Sequence, residues 1–157
     1  EVLGVGKEFG TALNKAYAAA GVEINNKEKG IFVTLSDSEK PNFIKTVNKY
    51  LELGFTLYST EGTGKFLKTN GIDSVIVGKA DDLGQTSLTI IEDKLVSLVI
   101  NTPTYANELS DGWKIRRLSH ETGVAVVSSV READAFIEAF LNQNLVLDDL
   151  EVIQDVS

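Results

Sequence analysis

Short apolar runs alternate with segments of helical periodicity along most of this chain. The runs hold four to six residues each, and the one at residues 95–100 is the most apolar. Short, mostly apolar runs of this length are typical of strands buried on both faces, which occur in parallel sheets covered by helices. The alternation therefore predicts an α/β fold with a doubly wound parallel five-stranded sheet flanked by helices.

The same pattern places each element along the sequence. Strands are predicted at residues 31–35, 55–59, 74–77, 95–100 and 124–127. Helices are predicted at residues 39–53, 62–70, 88–93 and 113–122, with a last one that opens at Ser129. Ligands of such sheets bind outside the carboxyl ends of the strands. The loops that follow the strands are therefore the first places to look for a binding site.

Short local signals predict where helices begin and end. Residues 36–38 read Ser-Asp-Ser and offer N-cap oxygens to the helix that starts near Glu39. Gly54 is placed to end that helix. Ser129 and Glu132 have the spacing of a capping box, in which each residue satisfies a backbone N–H of the other.

The first thirty residues differ from the rest of the chain. Apolar residues at helical spacing predict a helix that ends at Gly21. Residues 23–30 are almost entirely polar and charged, which predicts a linker. We therefore expect two segments, residues 1–26 and residues 27–157. Because the chain starts at Glu1 rather than at a methionine, we also expect it to be part of something longer.

Composition excludes several classes of function. The 157 residues carry 15 lysines and arginines against 23 aspartates and glutamates, a net charge of −8, which argues against nucleic acid or an anionic membrane as a partner. A small local anion pocket is still compatible with that charge. The absence of cysteine excludes thiolate nucleophiles and cysteine-bound metals, and the single histidine, His120, excludes a site with two imidazoles. No apolar run approaches the roughly 20 residues of a membrane span.

Two loops could carry chemistry. Residues 59–65 read STEGTGK at a strand-to-helix junction, where glycines, threonine hydroxyls and a helix N-terminus suit a phosphate or carboxylate. A tight turn with a helix cap explains that loop equally well, and it lacks the spacing of a Walker A loop. Residues 101–104 follow the most apolar strand and would lie in the crevice of the sheet, or simply begin a loop. Lys40 and Lys79 stand at strand ends near these loops.

Other charged groups attract simpler interpretations. Arg116 and Arg117 could bind an acid or a phosphate, but surface ion pairs are the commoner role of such residues. His120 lies in a polar stretch without a serine or carboxylate arranged beside it, so we do not expect it to be catalytic.

Four segments, taken in order, resemble a known family. They are residues 31–40, 54–63, 99–103 and 113–117, which read IFVTLSDSEK, GFTLYSTEGT, VINTP and WKIRR. This order is similar to the methylglyoxal-synthase-like domain at the C-terminus of the carbamoyl-phosphate synthase large subunit. The head of the chain, from residues 1–7 through the helix after them, resembles the last part of that subunit's second ATP-grasp synthetase unit. The resemblance thus implies an ATP-grasp tail and linker over residues 1–26 and an allosteric domain over residues 27–157.

What the resemblance implies is regulation rather than catalysis. Domains of this kind bind allosteric effectors and pass the signal to the synthetase units, so the implied ligand is a phosphorylated effector such as the nucleotide UMP, with IMP or ornithine as alternatives. The residues implied for its pocket are Thr34, Lys40, Thr60, Thr63, Lys79, Asn101 and Thr102. Of these, the residues that would contact the phosphate are Lys40, Thr60, Thr63 and Lys79. Pro103 stands where the bacterial pattern usually has a second threonine, which removes one hydroxyl and one N–H donor.

The resemblance also implies the setting of the domain. The parent enzyme would be an ATP-dependent ligase of the cytoplasm that uses ATP and magnesium, while this part would hold no cofactor, metal or catalytic residue. Its partners would be the rest of the large subunit and the glutaminase small subunit, and the resemblance allows a homo-oligomer. Whether the parent serves pyrimidine or arginine synthesis stays open at this point.

A second function class has the same fold. A free-standing lyase that makes methylglyoxal, or another small nucleotide-processing enzyme, would also show this strand–helix order. The lyases carry a histidine near the end of the first strand and an aspartate near the end of the fourth. Residues 35–37 and 101–103 stand there in this chain and read LSD and NTP, so the base and the electrophile of the lyase are missing. A pure interaction domain with an empty crevice is a third alternative.

Overall fold

The described part of the computed structural model, residues 30–102 and 110–142, contains one sheet of five parallel strands. The strands are β1 (Gly30–Thr34), β2 (Thr56–Ser59), β3 (Val75–Ile76), β4 (Val96–Asn101) and β5 (Ala125–Val127). Their order across the sheet is β3-β2-β1-β4-β5. This arrangement confirms the predicted α/β fold with a parallel five-stranded sheet.

Helices connect the strands and cover both faces of the sheet. They are α1 (Lys40–Glu52), α2 (Glu61–Thr69), α3 (Ser87–Glu92), α4 (Asp111–Thr122) and α5 (residues 130–142). Predicted and observed boundaries agree within one or two residues. The predicted N-terminal helix, the linker, the boundary at residue 26 and residues 103–104 lie outside the described residues.

The strand order reverses at β1, and this reversal locates the crevice. From β1 the chain builds outward to β2 and β3, then returns to the other side of β1 to add β4 and β5. The register pairs Thr34, the last residue of β1, with Asn101, the last residue of β4. The helices that follow these two strands, α1 and α4, pack in opposite apolar layers, and in such sheets ligands bind outside the carboxyl ends at this reversal.

Two apolar layers hold the sheet between the helices. Alternate residues of β1 point to opposite faces, so Ile31 and Val33 belong to one layer and Phe32 to the other. The first layer also takes residues of α1, α2 and α5, and the second takes residues of α3 and α4. All six residues of β4 are buried, as its apolar sequence predicts.

The start of α1 differs from its prediction. Its N-cap residue is Glu39, and no side chain caps the helix. The Ser36 and Ser38 hydroxyls lie 3.4 Å apart, and Asp37 pairs with Lys40 instead of capping the helix. The predicted N-cap role of these residues is wrong, because their polar atoms contact partners outside the helix backbone. Gly54 ends the helix as predicted, with a φ of 86° that favours glycine.

The capping box of α5 is present in modified form. The Ser129 hydroxyl accepts a hydrogen bond from the Glu132 N–H at 3.0 Å, as predicted. The Glu132 carboxylate, however, accepts from the Ser128 N–H at 2.6 Å rather than from Ser129. The reciprocal bond therefore comes from one residue earlier in the chain.

Gly64 lets α2 lie directly against the sheet, and we expect its replacement by alanine to destabilise the fold. A Cβ at Gly64 would lie 2.7 Å from the Ser59 Oγ and 2.8 Å from the Ile76 Cγ1. Overpacking of this kind costs about 1–3 kcal/mol. Gly62→Ala is the matched control on the same helix, because its Cβ would meet only the Lys40 Nζ, at 3.8 Å. Urea unfolding of both variants measures the difference, and equal stabilities would contradict this close approach.

Candidate functional site

Three strand ends supply the candidate site. β1 ends at Thr34, β2 ends just before Thr60, and β4 ends just before Thr102. β1 lies between the other two strands, and all three are parallel. The fold therefore brings together residues that are far apart in the sequence.

Three threonine hydroxyls form a cluster at the ends of β1 and β2. We call Thr34, Thr60 and Thr63 the threonine cluster: the Thr60 Oγ1 lies 3.4 Å from the Thr34 Oγ1 and 3.3 Å from the Thr63 Oγ1. The Thr63 Oγ1 also accepts a hydrogen bond from the Leu35 N–H at 3.1 Å, and Thr63 is only 2% exposed. The cluster therefore has a fixed position relative to the backbone that leaves β1.

Thr102 ties the loop after β4 to the loop after β1. Its N–H donates to the Thr34 carbonyl at 3.1 Å, and its Oγ1 accepts from the Ser36 N–H at 2.7 Å. The same hydroxyl lies 3.3 Å from the Ser36 Oγ, to which it donates. Ser36 is thus a member of the site that the sequence did not single out as a site residue.

Lys40 brings a positive charge to the first turn of α2. Its Nζ lies 3.8 Å from where a Cβ on Gly62 would stand, and its side chain is only 15% exposed. The N-terminus of α2 carries the positive end of the helix dipole. Asp37 balances the ammonium on the solvent side, and the hydrogen bond from Lys40 lowers the pKa of that carboxyl. Positive potential, hydroxyls and backbone N–H groups together suit an anion.

Asn101 positions the start of α4 at the end of β4. It is 3% exposed, and its Nδ2 donates to the Gly112 carbonyl at 3.2 Å. Ser110 caps α4, with its hydroxyl accepting from the Trp113 N–H at 3.2 Å. Asn101 therefore joins the end of β4 to the first turn of α4.

Lys79 stands apart from the threonine cluster. It is exposed, and its backbone N–H donates to the Asp82 carboxylate at 2.9 Å. Within residues 30–102 and 110–142, no hydrogen bond or ion pair joins its ammonium to the other predicted site residues. The loop that carries it contacts α4 instead, through a bond of 3.2 Å from the Ala80 N–H to the Asp111 carboxylate. Its predicted contact with a phosphate stays a prediction.

Comparison of the sequence with known proteins shows which family the chain belongs to. The model of the MGS-like domain matches residues 42–128, which is more than half of the chain. The chain belongs to the MGS-like domain family. The matched range includes β2 through β5 and most of the predicted site, and the family resemblance predicted from the sequence is confirmed.

Relatives with curated names share one description. The chain is 36% identical over 90% of its length to a carbamoyl phosphate synthase large chain of Lachnoclostridium phytofermentans. It is 36% and 34% identical, over 88% of its length, to C-terminal sections of the carbamoyl phosphate synthase large chains of Aquifex aeolicus and Methanocaldococcus jannaschii. The chain spans only 13% of the first of these relatives and 26% and 22% of the two C-terminal sections. It is thus similar to one domain of a much larger enzyme.

The groups that meet at these strand ends can bind an anion. The threonine cluster and Lys40 provide hydrogen-bond donors and positive charge. In the part of the chain that the structure describes, no group of three or more His, Asp or Glu residues could hold a metal ion. His120 is exposed in the last turn of α4. None of the helices described is long and apolar enough to cross a membrane.

Proposed function

We propose that this MGS-like domain is an effector-binding regulatory domain of a carbamoyl phosphate synthase large chain. The effector is phosphorylated, a nucleotide such as UMP, and binds at the carboxyl ends of β1, β2 and β4. The observation that carries the proposal is the convergence of the threonine cluster and Lys40 on the N-terminus of α2. The similarity to carbamoyl phosphate synthase large chains supports the choice of parent enzyme.

A phosphate group fits this convergence better than a neutral ligand does. The chain as a whole carries −8, so an anion needs a local concentration of donors and positive charge. Lys40 and the first turn of α2 supply the charge, and the hydroxyls of Thr60 and Thr34 supply donors at the same place. Hydrogen bonds to a charged group contribute about 1.5–3 kcal/mol each. Lys79, on the exposed loop after β3, adds a second ammonium in this proposal.

Regulation is a better account of the site than catalysis. Lyase chemistry on a triose phosphate needs a general base or acid beside the phosphate. Among the described residues, the carboxyl group that pairs with Lys40 is that of Asp37, which is 96% exposed. Incubating the purified chain with dihydroxyacetone phosphate separates the two proposals, because release of methylglyoxal would support the lyase and contradict the regulatory domain.

We expect Lys79→Ala to weaken UMP binding about tenfold or more, since each factor of ten corresponds to about 1.4 kcal/mol and a charge-assisted bond exceeds that. Calorimetric titration of the 157-residue chain with UMP measures the change. Lys94→Ala is the matched control, because Lys94 is an exposed lysine that follows α3, before the amino end of β4. Unchanged affinity in the Lys79 variant would place the phosphate elsewhere.

A further inference from the structure

Arg116 has a buried donor that finds no hydrogen-bond partner among the described residues, and it lies beside the candidate site. Its Nη1 is shielded from solvent, and within residues 30–102 and 110–142 no acceptor lies within hydrogen-bond distance of it. The same atom lies 3.4 Å from where a Cβ on Gly112 would stand, and the Asn101 Nδ2 and Oδ1 lie 3.6 and 3.8 Å from that point. The Arg116 guanidinium and the Asn101 amide therefore both lie beside Gly112, at the carboxyl end of β4.

The other cations of α4 have partners. Arg117 pairs with Glu121 at 3.0 Å and stacks over Trp113 at 5.2 Å, and Lys114 lies 3.4 Å from Asp81. In the described part of the chain Arg116 has no such ion pair. Leaving a cationic donor shielded from water and without an acceptor is costly, unless a ligand supplies the acceptor.

The position of Arg116 is remote from the phosphate end of the proposed site. Lys40 and the threonine cluster lie at the ends of β1 and β2, whereas Arg116 borders the end of β4 on the opposite side of β1. Neighbouring strands lie about 4.8 Å apart, so β2 and β4 are separated by about 10 Å. A nucleoside monophosphate can bridge such a span, but inorganic phosphate cannot.

We propose that Arg116 is a specificity-determining residue of the effector pocket. Its guanidinium donates a hydrogen bond to a carbonyl oxygen of the base, while the phosphate lies at the N-terminus of α2. This inference rests on the proposed function and assigns the base end of that site. A guanidinium offers only donors, so it favours a base with a keto oxygen facing it and disfavours one with an amino group there.

Two probes separate the two ends of the ligand. UMP carries both phosphate and base, and ribose 5-phosphate carries the phosphate and sugar alone. In titrations of the whole chain, Arg116→Gln should weaken UMP binding at least tenfold, about 1.4 kcal/mol. Its affinity for ribose 5-phosphate should stay within twofold of the unmutated chain. Thr60→Ala should weaken the binding of both probes, because this hydroxyl belongs to the phosphate end.

Arg117→Gln is the matched control, because it removes the neighbouring guanidinium, whose partners are Glu121 and Trp113. It should leave both affinities unchanged. If Arg116→Gln fails to fold, Arg116→Lys replaces it, since lysine keeps the charge but lacks the planar fork. We expect Arg116→Lys also to weaken the binding of UMP and to leave the binding of ribose 5-phosphate within twofold.

The outcomes distinguish this inference from the function on which it rests. If Arg116→Gln weakens the binding of UMP and of ribose 5-phosphate equally, or weakens neither, the role of Arg116 is overturned. The proposed regulatory site is not affected by either result. If Thr60→Ala leaves the affinity for both probes unchanged, or if neither probe binds to the unmutated chain, the proposed site itself is overturned. If Arg116→Gln weakens the binding of UMP but not that of ribose 5-phosphate, the result supports both the role of Arg116 and the proposed function.

Discussion

In the full-length enzyme, replacing Thr60 and Thr63 together by alanine should abolish the response to the effector. The two hydroxyls lie 3.3 Å apart at the first turn of α2, where the proposed phosphate binds. Each charge-assisted bond contributes about 1.5–3 kcal/mol, so the loss of two would weaken binding by roughly two or more orders of magnitude. The measurement is carbamoyl phosphate synthesis as a function of effector concentration, and the rate without effector should stay near that of the unmutated enzyme.

Thr63 needs a control of its own in this experiment. Its hydroxyl accepts the Leu35 N–H at 3.1 Å inside the protein, so alanine also leaves a buried donor without a partner, at a cost of about 1–3 kcal/mol. Thr63→Ser keeps the hydroxyl and should restore part of the response. Thr69→Ala, on the exposed end of the same helix, should change nothing. If synthesis collapses together with regulation although the enzyme is folded, the site is part of catalysis and the regulatory proposal is wrong.

Regulation through this site would also have to be reciprocal. If the effector changes the affinity of the enzyme for ATP by some factor, ATP must change its affinity for the effector by the same factor. Couplings of this kind are typically 1–3 kcal/mol, which is about 5–150-fold. The linkage applies to binding, so it is measured as UMP affinity with and without a non-hydrolysable ATP analogue.

The contacts of the described residues suggest where such a signal would leave the site. Asn101 holds the first turn of α4 through the Gly112 carbonyl, and Asp111 of that turn holds the Ala80 N–H at 3.2 Å. The loop after β3 is exposed and polar, so it can move without loss of core packing. We propose that α2, at the phosphate end, and this loop, which contacts α4, carry the signal to a surface in contact with the rest of the large chain.

The sheet was predictable from the sequence because its signal is local. The strands are short, mostly apolar segments bounded by polar residues, and where both faces are buried, as in β1 and β4, the apolar residues are nearly continuous rather than alternating. The all-buried β4 is the clearest case. Helix starts were less predictable, since tertiary partners compete for the same oxygens. Residues 36–38 contain four side-chain oxygens that could cap a helix, yet Asp37 pairs with Lys40 and the Ser36 hydroxyl accepts from the hydroxyl of Thr102, 66 residues away in the chain.

In the candidate site too, features of short segments were predictable from the sequence, whereas contacts between distant segments were not. The loop at residues 59–65 is predicted as an anion site from its glycines and its place at a strand end, which are features of a short segment, and this stays a prediction. Arg116 and Arg117 are adjacent in the sequence, but they point about 100° apart on the helix. Arg117 has Glu121 one turn later, a pairing visible in the sequence, whereas the Arg116 Nη1 lies beside Gly112, one turn earlier, and near the Asn101 amide. Only the structure shows that Arg116 and Asn101 lie together.

Phe43→Ala should cost about 3–5 kcal/mol, the usual penalty for removing a buried phenyl ring. Phe43 is fully buried and belongs to the apolar layer that joins α1 to the sheet. Small domains are stable by only about 5–15 kcal/mol, so the midpoint of urea unfolding should fall markedly. Val75→Ala, at a side chain that is 43% exposed on the edge strand, should change stability by no more than about 0.5 kcal/mol.

Phe43 also connects stability with the proposed binding site. It lies one turn after Lys40 on α1, so the cavity left by the ring removes the packing that fixes the helix end carrying the ammonium. UMP affinity should therefore fall in Phe43→Ala even under conditions in which the chain stays folded, while Val75→Ala should leave it unchanged. Full affinity in a folded but destabilised Phe43→Ala would mean that Lys40 is held by its ion pair and by α2 rather than by the packing of α1.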